Sequence, residues 1–345
     1  MKAAILKFAN HMAVESFPPP SLGKGDVLMQ MRAATICGTD IRIFRGSKTL
    51  GVRYPSILGH EFAGQIVETG GHAHLSVGQR VALCPTLPCG KCERCKRGLE
   101  NLCGHSRNFG YELDGGFAEL VRIPADAVTG GNLRILPSTM SYAEGALVEP
   151  LSCVLNGQEK VGLGFGDTVV ILGSGPIGCL HVMLARKRGA ARIIVSDPSP
   201  NRREAALRFG ADCVCDPEHE DLHAVIAGET DGLGADVVIC AIGIPALARE
   251  ATRYVRHGGR ISLFAGFAGG TTATLDVNAI HYNEISLVGA FGLSRRNFDM
   301  AFDMVAAKQI DVVGLITDRF SLTDTTAAFE MAETGAALKV VIEND

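Results

Sequence analysis

Residues 168–185 read TVVILGSGPIGCLHVMLA, an uncharged run in which an apolar, β-branched segment leads into a glycine-rich turn. The three glycines follow a G-x-G-x-x-G spacing, with a strand expected before them and a helix after them. In that context the first glycine permits a tight turn, the second lets a pyrophosphate approach the backbone, and the third lets helix and strand pack closely. The pattern predicts that a dinucleotide cofactor contacts Gly173, Gly175, Pro176, Ile177 and Gly178.

The same alternation of strand and helix continues along the chain. Further apolar strand candidates lie at Arg192–Ser196 and at residues 236–241 and 260–264, with helical patterns at residues 176–188 and 201–209. Strands that alternate with helices in this way are typical of βαβ units on a parallel sheet. The sequence therefore predicts an α/β fold, with a doubly wound parallel sheet over residues 151–292.

Asp197 ends the second of these strands, 19 residues beyond Gly178. A carboxylate at this place can accept both hydroxyls of the adenosine ribose and repels a 2′-phosphate, which favours NAD over NADP. Arg202 and Arg203 lie close by in the sequence. NADP therefore remains an alternative cofactor, since an arginine can bind a 2′-phosphate. We include Arg202 among the expected cofactor contacts.

Residues 1–150 differ in composition and pattern from the rest of the chain. Glycine and proline are frequent, and short β-type runs occur at residues 27–31, 62–68 and 118–123, which predicts a mainly β domain with long loops. After a strand candidate at residues 285–289, an amphipathic stretch at 295–307 leads to an apolar run at 337–342. This tail is too short for a domain of its own, so residues from about 293 to 345 are expected to complete the first domain.

Four cysteines lie within 15 residues at Cys89, Cys92, Cys95 and Cys103, among lysines and arginines that help to hold thiolates. This spacing suits one tetrahedral zinc. Because the four cysteines would occupy all four coordination positions of the metal, the site should be structural. A cluster of free thiols and an iron–sulfur cluster remain alternatives.

A second set of metal-ligating residue types is spread over the first domain as Cys37-Gly-Thr39-Asp40, Gly59-His60-Glu61 and Glu149-Pro150. Each fragment alone is unremarkable, since a buried cysteine or histidine usually belongs to the core. Together, a thiolate, an imidazole and carboxylates suit zinc with one exchangeable position, which is what a catalytic site needs.

The composition limits the other possibilities. The chain has 345 residues, with 33 basic and 37 acidic side chains, and the net charge of −4 gives no basic surplus for nucleic acid. The uncharged run at residues 168–185 contains three glycines and a proline, so we expect a buried strand and helix and no membrane contact. Eleven cysteines without a recognisable leader favour metal binding in a cytoplasmic protein over disulfides.

The order of these motifs resembles that of the zinc-containing medium-chain alcohol and polyol dehydrogenase family over essentially the whole chain. The segment Ala146-Leu-Val-Glu-Pro-Leu-Ser is most similar to the branch of sorbitol, threonine and related dehydrogenases. The resemblance implies a GroES-like, mainly β catalytic domain, a Rossmann-type cofactor domain, two zinc ions per chain, NAD, and a homo-oligomer of two or four copies.

The resemblance also assigns roles to individual residues. Cys37 and His60 would ligate the catalytic zinc, and Glu61 and Glu149 would share the other positions with water and substrate. Thr39 would hydrogen-bond the reacting hydroxyl, and Asp40 would orient His60, as carboxylates commonly do for metal-bound imidazoles. For Glu149, a role as a simple charged residue before Pro150 remains the alternative.

Three positions depart from the family pattern. Gly38 stands where relatives often place an arginine on the cofactor pyrophosphate, so Lys339 and the backbone near Gly175 become the expected contacts. Arg42 stands where some relatives have a proton-transferring histidine, and Ile43 stands near the place of an aromatic residue. Cys153 is a further expected neighbour of the nicotinamide.

The sequence thus predicts an oxidoreductase that interconverts a secondary alcohol of a polyol or sugar-like small molecule and the corresponding ketone with NAD. One alternative is an amino-alcohol dehydrogenase that acts on a threonine-like or aminocyclitol substrate. The other is a non-catalytic relative that only binds the cofactor.

Overall fold

The computed structural model describes residues 1–344, which form two compact units. Unit 1 comprises residues 1–152 together with the C-terminal segment from residue 293, and unit 2 comprises residues 153–292. The sequence predicted the change of domain after residue 150 and the return at about 293. Within residues 1–344, no helix is both long enough and apolar enough to cross a bilayer.

The strands, in chain order, are β1 (Lys2–Phe8), β2 (His11–Ser16), β3 (Val27–Thr35), β4 (Ser56–Ile57), β5 (Glu61–Glu68), β6 (Arg80–Leu83), β7 (Thr86–Leu87), β8 (Arg107–Asn108), β9 (Leu120–Ile123), β10 (Leu133–Ile135), β11 (Thr168–Leu172), β12 (Arg192–Ser196), β13 (Cys213–Cys215), β14 (Ala235–Cys240), β15 (Val255–Leu263), β16 (Ser286–Gly289), β17 (Ile316–Ser321) and β18 (Lys339–Glu343). The helices are α1 (Gly38–Phe44), α2 (Glu93–Lys96), α3 (Ala125–Thr129), α4 (Tyr142–Ala146), α5 (Val148–Lys160), α6 (Pro176–Lys187), α7 (Pro200–Arg208), α8 (Leu222–Glu229), α9 (Pro245–Tyr254), α10 (Val277–Tyr282), α11 (Arg295–Ala306) and α12 (Thr325–Thr334).

Unit 1 is mainly β, as the sequence predicted. Its largest sheet has the order β10-β6-β5-β3-β18-β17, with β9 also paired to β3. Strand β3 is central because β5 pairs with it antiparallel over residues 28–35, while β9 and β18 pair antiparallel with residues 27–30 and 33–35. Strand β18 comes from the C-terminal segment, so the tail completes this sheet.

Aromatic side chains fill the core of unit 1. Phe117 and Phe329 meet edge to face with their ring centres 5.6 Å apart, and Phe62 and Phe109 do so at 5.7 Å. All four rings are almost fully buried. Because Phe329 lies on α12 and the other three lie before residue 120, this core also ties the C-terminal segment to the N-terminal part of the unit.

Unit 2 contains one parallel sheet with the order β13-β12-β11-β14-β15-β16. Its central strand β11 is buried on both faces. Val169 and Ile171 pack into one apolar cluster with α6, while Val170 and Leu172 pack into a second cluster with α8 and α9. This two-sided burial explains why the strand reads as a continuous apolar run, and the strand order is that of the doubly wound dinucleotide-binding fold.

Candidate active site

Cys37, His60 and Glu61 converge in unit 1, and their ligand atoms lie within 4.8 Å of one another. Cys37 directly precedes α1, and Glu61 begins β5, opposite Thr35 at the end of β3. Cys37 therefore meets the adjacent residues His60 and Glu61 because β3 and β5 are paired. The donor set of one sulfur, one imidazole nitrogen and carboxylate oxygen fits zinc.

The backbone conformation just before His60 requires a glycine. Gly59 has φ of +93°, and a Cβ at this position would lie 3.1 Å from the ring of Phe117. Any other residue would be strained in this conformation and would crowd the aromatic core. The Gly-His-Glu order is thus required by the backbone as well as by the ligands.

Asp40 holds the ligands in place. Its carboxylate is fully buried and accepts hydrogen bonds from the backbone N–H of Cys37, at 3.0 Å, and of Gly59, at 3.3 Å. The same carboxylate lies 3.3 Å from Nδ1 of His60, so the imidazole can present Nε2 to a metal. This arrangement agrees with the orienting role that the family resemblance implies for Asp40.

The surroundings of His60 favour positive charge. Burial lowers the pKa of His60, but the nearby Tyr111, Asp40 and Cys37 raise it by more, so that the pKa lies well above its usual value. Tyr111 lies against the imidazole with the two ring centres 5.4 Å apart. A site that stabilises a protonated imidazole in this way would also stabilise a bound metal cation.

Glu61 has two buried partners that the sequence did not indicate. Its Oε2 accepts hydrogen bonds from the Thr35 hydroxyl and from the Lys339 ammonium, the latter at 2.5 Å. Lys339 is only 5% exposed. Burial lowers the pKa of Lys339, yet the charges of Glu61 and Cys37 outweigh it, so the net shift is upward and Lys339 stays charged.

The contact of Lys339 with the cofactor pyrophosphate stays a prediction. Its ammonium is already held by a carboxylate inside unit 1 and is shielded from solvent. The pairing joins residues 278 positions apart, which no local sequence pattern could reveal.

Glu149 lies in the first turn of α5 and is 8% exposed. Its charge contributes to raising the pKa of both Tyr111 and Lys339, which places it near the ligand group. Ligation by Glu149 stays a prediction. Thr39 is half-buried on α1, and its hydroxyl accepts a hydrogen bond of 3.0 Å from Nη2 of Arg42.

The four cysteines of the predicted structural site form a closed group in unit 1. The Sγ atoms of Cys92 and Cys95 lie 3.5 Å apart, those of Cys92 and Cys103 lie 3.8 Å apart, and those of Cys89 and Cys95 lie 3.9 Å apart. A tetrahedral zinc with the usual Zn–S bond places its sulfurs about 3.8 Å from one another. Backbone N–H groups of Lys91 and Cys92 lower the pKa of Cys89 to about 6, whereas burial and the neighbouring thiols raise the pKa of Cys95 to about 12.

The glycine-rich turn of unit 2 has the geometry expected of a phosphate-binding turn. Gly173 has φ of +94°, and a Cβ on Gly178 would lie 2.0 Å from the carbonyl oxygen of Gly173. By contrast, a Cβ on Gly175 would meet nothing within 4 Å. The space in front of Gly175 is therefore open to a ligand, and the N-terminus of α6 faces this turn.

Asp197 lies at the end of β12, beside this turn, and is 3% exposed. Its oxygens accept hydrogen bonds from the backbone N–H of Ser174, at 2.7 Å, and of Ser199, at 2.9 Å. Arg203 donates to the Asp197 carbonyl at 2.7 Å and pairs with Asp216, so its contacts stabilise the loop that follows β12. The cofactor contacts predicted for Arg202 and Cys153 stay predictions.

Comparison with known proteins places the chain in a family. Residues 23–131 match the family model of the alcohol dehydrogenase GroES-like domain, and residues 176–307 match that of the zinc-binding dehydrogenases. Sorbitol dehydrogenase of Bacillus subtilis is 33% identical over 336 residues, which cover 96% of this chain and 93% of that protein. The chain belongs to the zinc-containing medium-chain alcohol dehydrogenase family. This confirms the resemblance drawn from the sequence motifs.

Two further members of the family are similar along almost their full length. L-threonine 3-dehydrogenase of Pyrococcus furiosus is 34% identical over 331 residues, covering 93% of this chain and 92% of that protein. The crystal structure of a zinc-binding dehydrogenase from Sinorhizobium meliloti 1021, bound to NADP, superposes with a TM-score of 0.92 at 32% identity and covers 99% of both chains.

Gly175 and Gly178, two of the three glycines of the turn, provide a matched pair of positions for testing the cofactor site. Gly175→Ala should keep the wild-type melting temperature. It should weaken the binding of NADH at least about tenfold, because the new methyl group fills the space expected for the pyrophosphate. Gly178→Ala should lower the melting temperature, because its methyl group collides with backbone. Thermal unfolding and NADH fluorescence titration measure both effects. Wild-type NADH affinity in Gly175→Ala would contradict this placement.

Zinc analysis tests the two metal centres. We expect about two zinc ions per chain. Cys95→Ser should lose one of them and lower the melting temperature by roughly 10 °C or more, since a closed thiolate site contributes folding free energy. Cys213→Ser, on β13 in unit 2, is the control and should keep both ions. Unchanged zinc content and stability in Cys95→Ser would rule out the structural site.

Proposed function

We propose that the protein is a zinc-dependent dehydrogenase that interconverts a secondary alcohol of a polyol or sugar-like substrate and the ketone, with NAD as the preferred cofactor. The observation that carries the proposal is the convergence of Cys37, His60 and Glu61 beside Thr39. The relation to sorbitol dehydrogenase supports the substrate class. The metal ligands belong to unit 1 and the dinucleotide turn belongs to unit 2.

In the proposed reaction, the alcohol and NAD⁺ give the ketone, NADH and a proton. Zinc, when bound, supplies a positive charge that lowers the pKa of the substrate hydroxyl and polarises the ketone in the reverse direction. NAD, which Gly173, Gly175 and Gly178 would hold, would supply the acceptor for the hydride of the carbinol carbon. Cys37, His60 and Glu61 would hold the metal, with Glu149 as a further ligand, and Asp40 keeps the imidazole in the ligating orientation.

Thr39 would bind the substrate hydroxyl. Its Oγ1 accepts from Arg42, and so its own hydroxyl proton is available for donation to a substrate oxygen. Arg42 cannot take up the proton that the substrate releases, because a guanidinium does not titrate near neutral pH. Proton release then passes through water, a ribose hydroxyl or a carboxylate of the site.

The similarity to threonine dehydrogenases supports an amino-alcohol substrate as the second candidate. A substrate ammonium would need a carboxylate with no strong partner, whereas Glu61 already pairs with Lys339. This occupied carboxylate favours the polyol. Homo-oligomerisation and a cytoplasmic location stay predictions.

The function is tested by following NADH absorbance at 340 nm over a panel of pentitols, hexitols and their derivatives, with L-threonine and an aminocyclitol in parallel. We expect polyol oxidation that is lost when zinc is chelated and restored when zinc is returned. Preference for L-threonine or the aminocyclitol would establish the second candidate. NADH binding without turnover of any alcohol would indicate a non-catalytic protein.

Cofactor preference should depend on Asp197. Asp197→Ala should lower the ratio of kcat/KM for NAD to that for NADP at least about tenfold, because it removes both the ribose contact and the repulsion of a 2′-phosphate. Asp197→Asn separates the two effects, since it keeps a hydrogen-bonding group and loses the charge. A wild-type protein with higher kcat/KM for NADP would overturn the assignment.

A further inference from the structure

Two cationic side chains, Arg42 and Lys48, lie near the candidate metal ligands of unit 1, and the proposed chemistry makes no use of their positive charge. Arg42, on the last turn of α1, donates to the Thr39 hydroxyl at 3.0 Å. Lys48 follows in the next loop, and its backbone N–H donates to the Arg42 carbonyl at 3.1 Å. The backbone therefore holds these two residues on adjacent turns.

Tyr111 connects this pair to the metal centre. The Lys48 ammonium lies 5.0 Å from the centre of the Tyr111 ring, and the same ring lies 5.4 Å from the ring of His60. Lys48 is thus separated from a metal ligand by one aromatic side chain. A substrate chain of a few carbons that begins at the metal and passes Tyr111 would reach the ammonium.

Neither cation has a carboxylate partner. Among the residues that the structure describes, no Asp or Glu oxygen lies within salt-bridge distance of Arg42 or Lys48, whereas Arg45 and Arg53 nearby pair with Glu333 and Asp114. Most arginines of the chain are paired in the latter manner. Arg42 and Lys48 are therefore available to bind an external anion.

The two charges also act on each other. Burial lowers the pKa of Lys48, and the positive charge of Arg42 lowers it further. Glu112 opposes the shift only in part, and its carboxylate is engaged with the backbone and side chain of Asn108, at 2.9 and 3.3 Å. Arg42 is exposed and Lys48 is half-buried, and a bound anion would relieve the repulsion between their like charges.

We propose that Arg42 and Lys48 form an anion subsite beside the metal centre, and that the polyol substrate carries a phosphate or carboxylate on a carbon remote from the one oxidised. The proposal rests on the proposed function. A guanidinium binds either anion through paired N–H donors, and an ammonium adds a point charge. The Thr39 hydroxyl, bonded to Arg42, would join the reacting end of the substrate to its anionic end.

Matched substrates and matched variants test this subsite. A pentitol and a hexitol are each compared with their terminal monophosphate and their aldonate, with NAD at saturation. In the wild type, kcat/KM should be at least about tenfold higher for the preferred anionic form than for the neutral polyol. The phosphate and aldonate arms identify which anion is bound.

Lys48→Met should lower the anionic-to-neutral ratio of kcat/KM at least about tenfold, mainly through KM for the anionic substrate, and Lys48→Arg should restore most of it. Lys24→Met removes a lysine that is exposed elsewhere in unit 1 and should leave the ratio unchanged. An equal effect of Lys48→Met on neutral and anionic substrates, or a rise in KM for NAD instead, would overturn the subsite.

The two proposals can fail separately. Absence of NAD-linked oxidation of every alcohol in the wild type would reject the proposed function. Inorganic phosphate, titrated by calorimetry into the zinc-loaded protein, then tests the subsite directly. Binding that weakens at least about tenfold in Lys48→Met and not in Lys24→Met supports the subsite, whereas equal binding in wild type and Lys48→Met overturns it.

Discussion

The buried carboxylate of Asp40 is the constraint on which the active site depends. It accepts hydrogen bonds from the backbone of Cys37 and of Gly59 and lies against the imidazole of His60. These contacts join the start of α1 to the turn before β5, so one side chain positions both Cys37 and His60, the candidate metal ligands. A fully buried carboxylate is costly to leave unpaired, and the fold therefore strongly favours the arrangement in which all three groups surround it.

The elements of unit 2 could be predicted closely from the sequence, because each strand buried on both faces is a continuous apolar run. Strands β11 and β12 begin and end where the pattern indicated, at Thr168–Leu172 and Arg192–Ser196. Strand β15 begins five residues before the predicted start at 260, since a register shift and two glycines interrupt its apolar pattern. Strand β13, Cys213–Cys215, is too short to produce a periodic signal and was not predicted.

The candidate metal ligands were also accessible to sequence analysis, because Cys37 with Asp40 and His60 with Glu61 lie in short, recognisable motifs. The residues that tune these ligands were not. Lys339 reaches Glu61 only because β18 returns to pair with β3, and Tyr111 and Lys48 lie in irregular loops. Pairings of this kind depend on tertiary structure, and a single sequence carries no local signal for them.

The pairing of Glu61 with Lys339 would allow the candidate site to hold several acidic groups around one metal. Both donors to Glu61, the Thr35 hydroxyl and the Lys339 ammonium, bind Oε2, so Oε1 remains available as a ligand. A protonated Lys339 offsets negative charge that would otherwise accumulate between Glu61 and Glu149. A buried cation placed behind the carboxylate thus limits the charge repulsion within the ligand set without occupying a position on the metal.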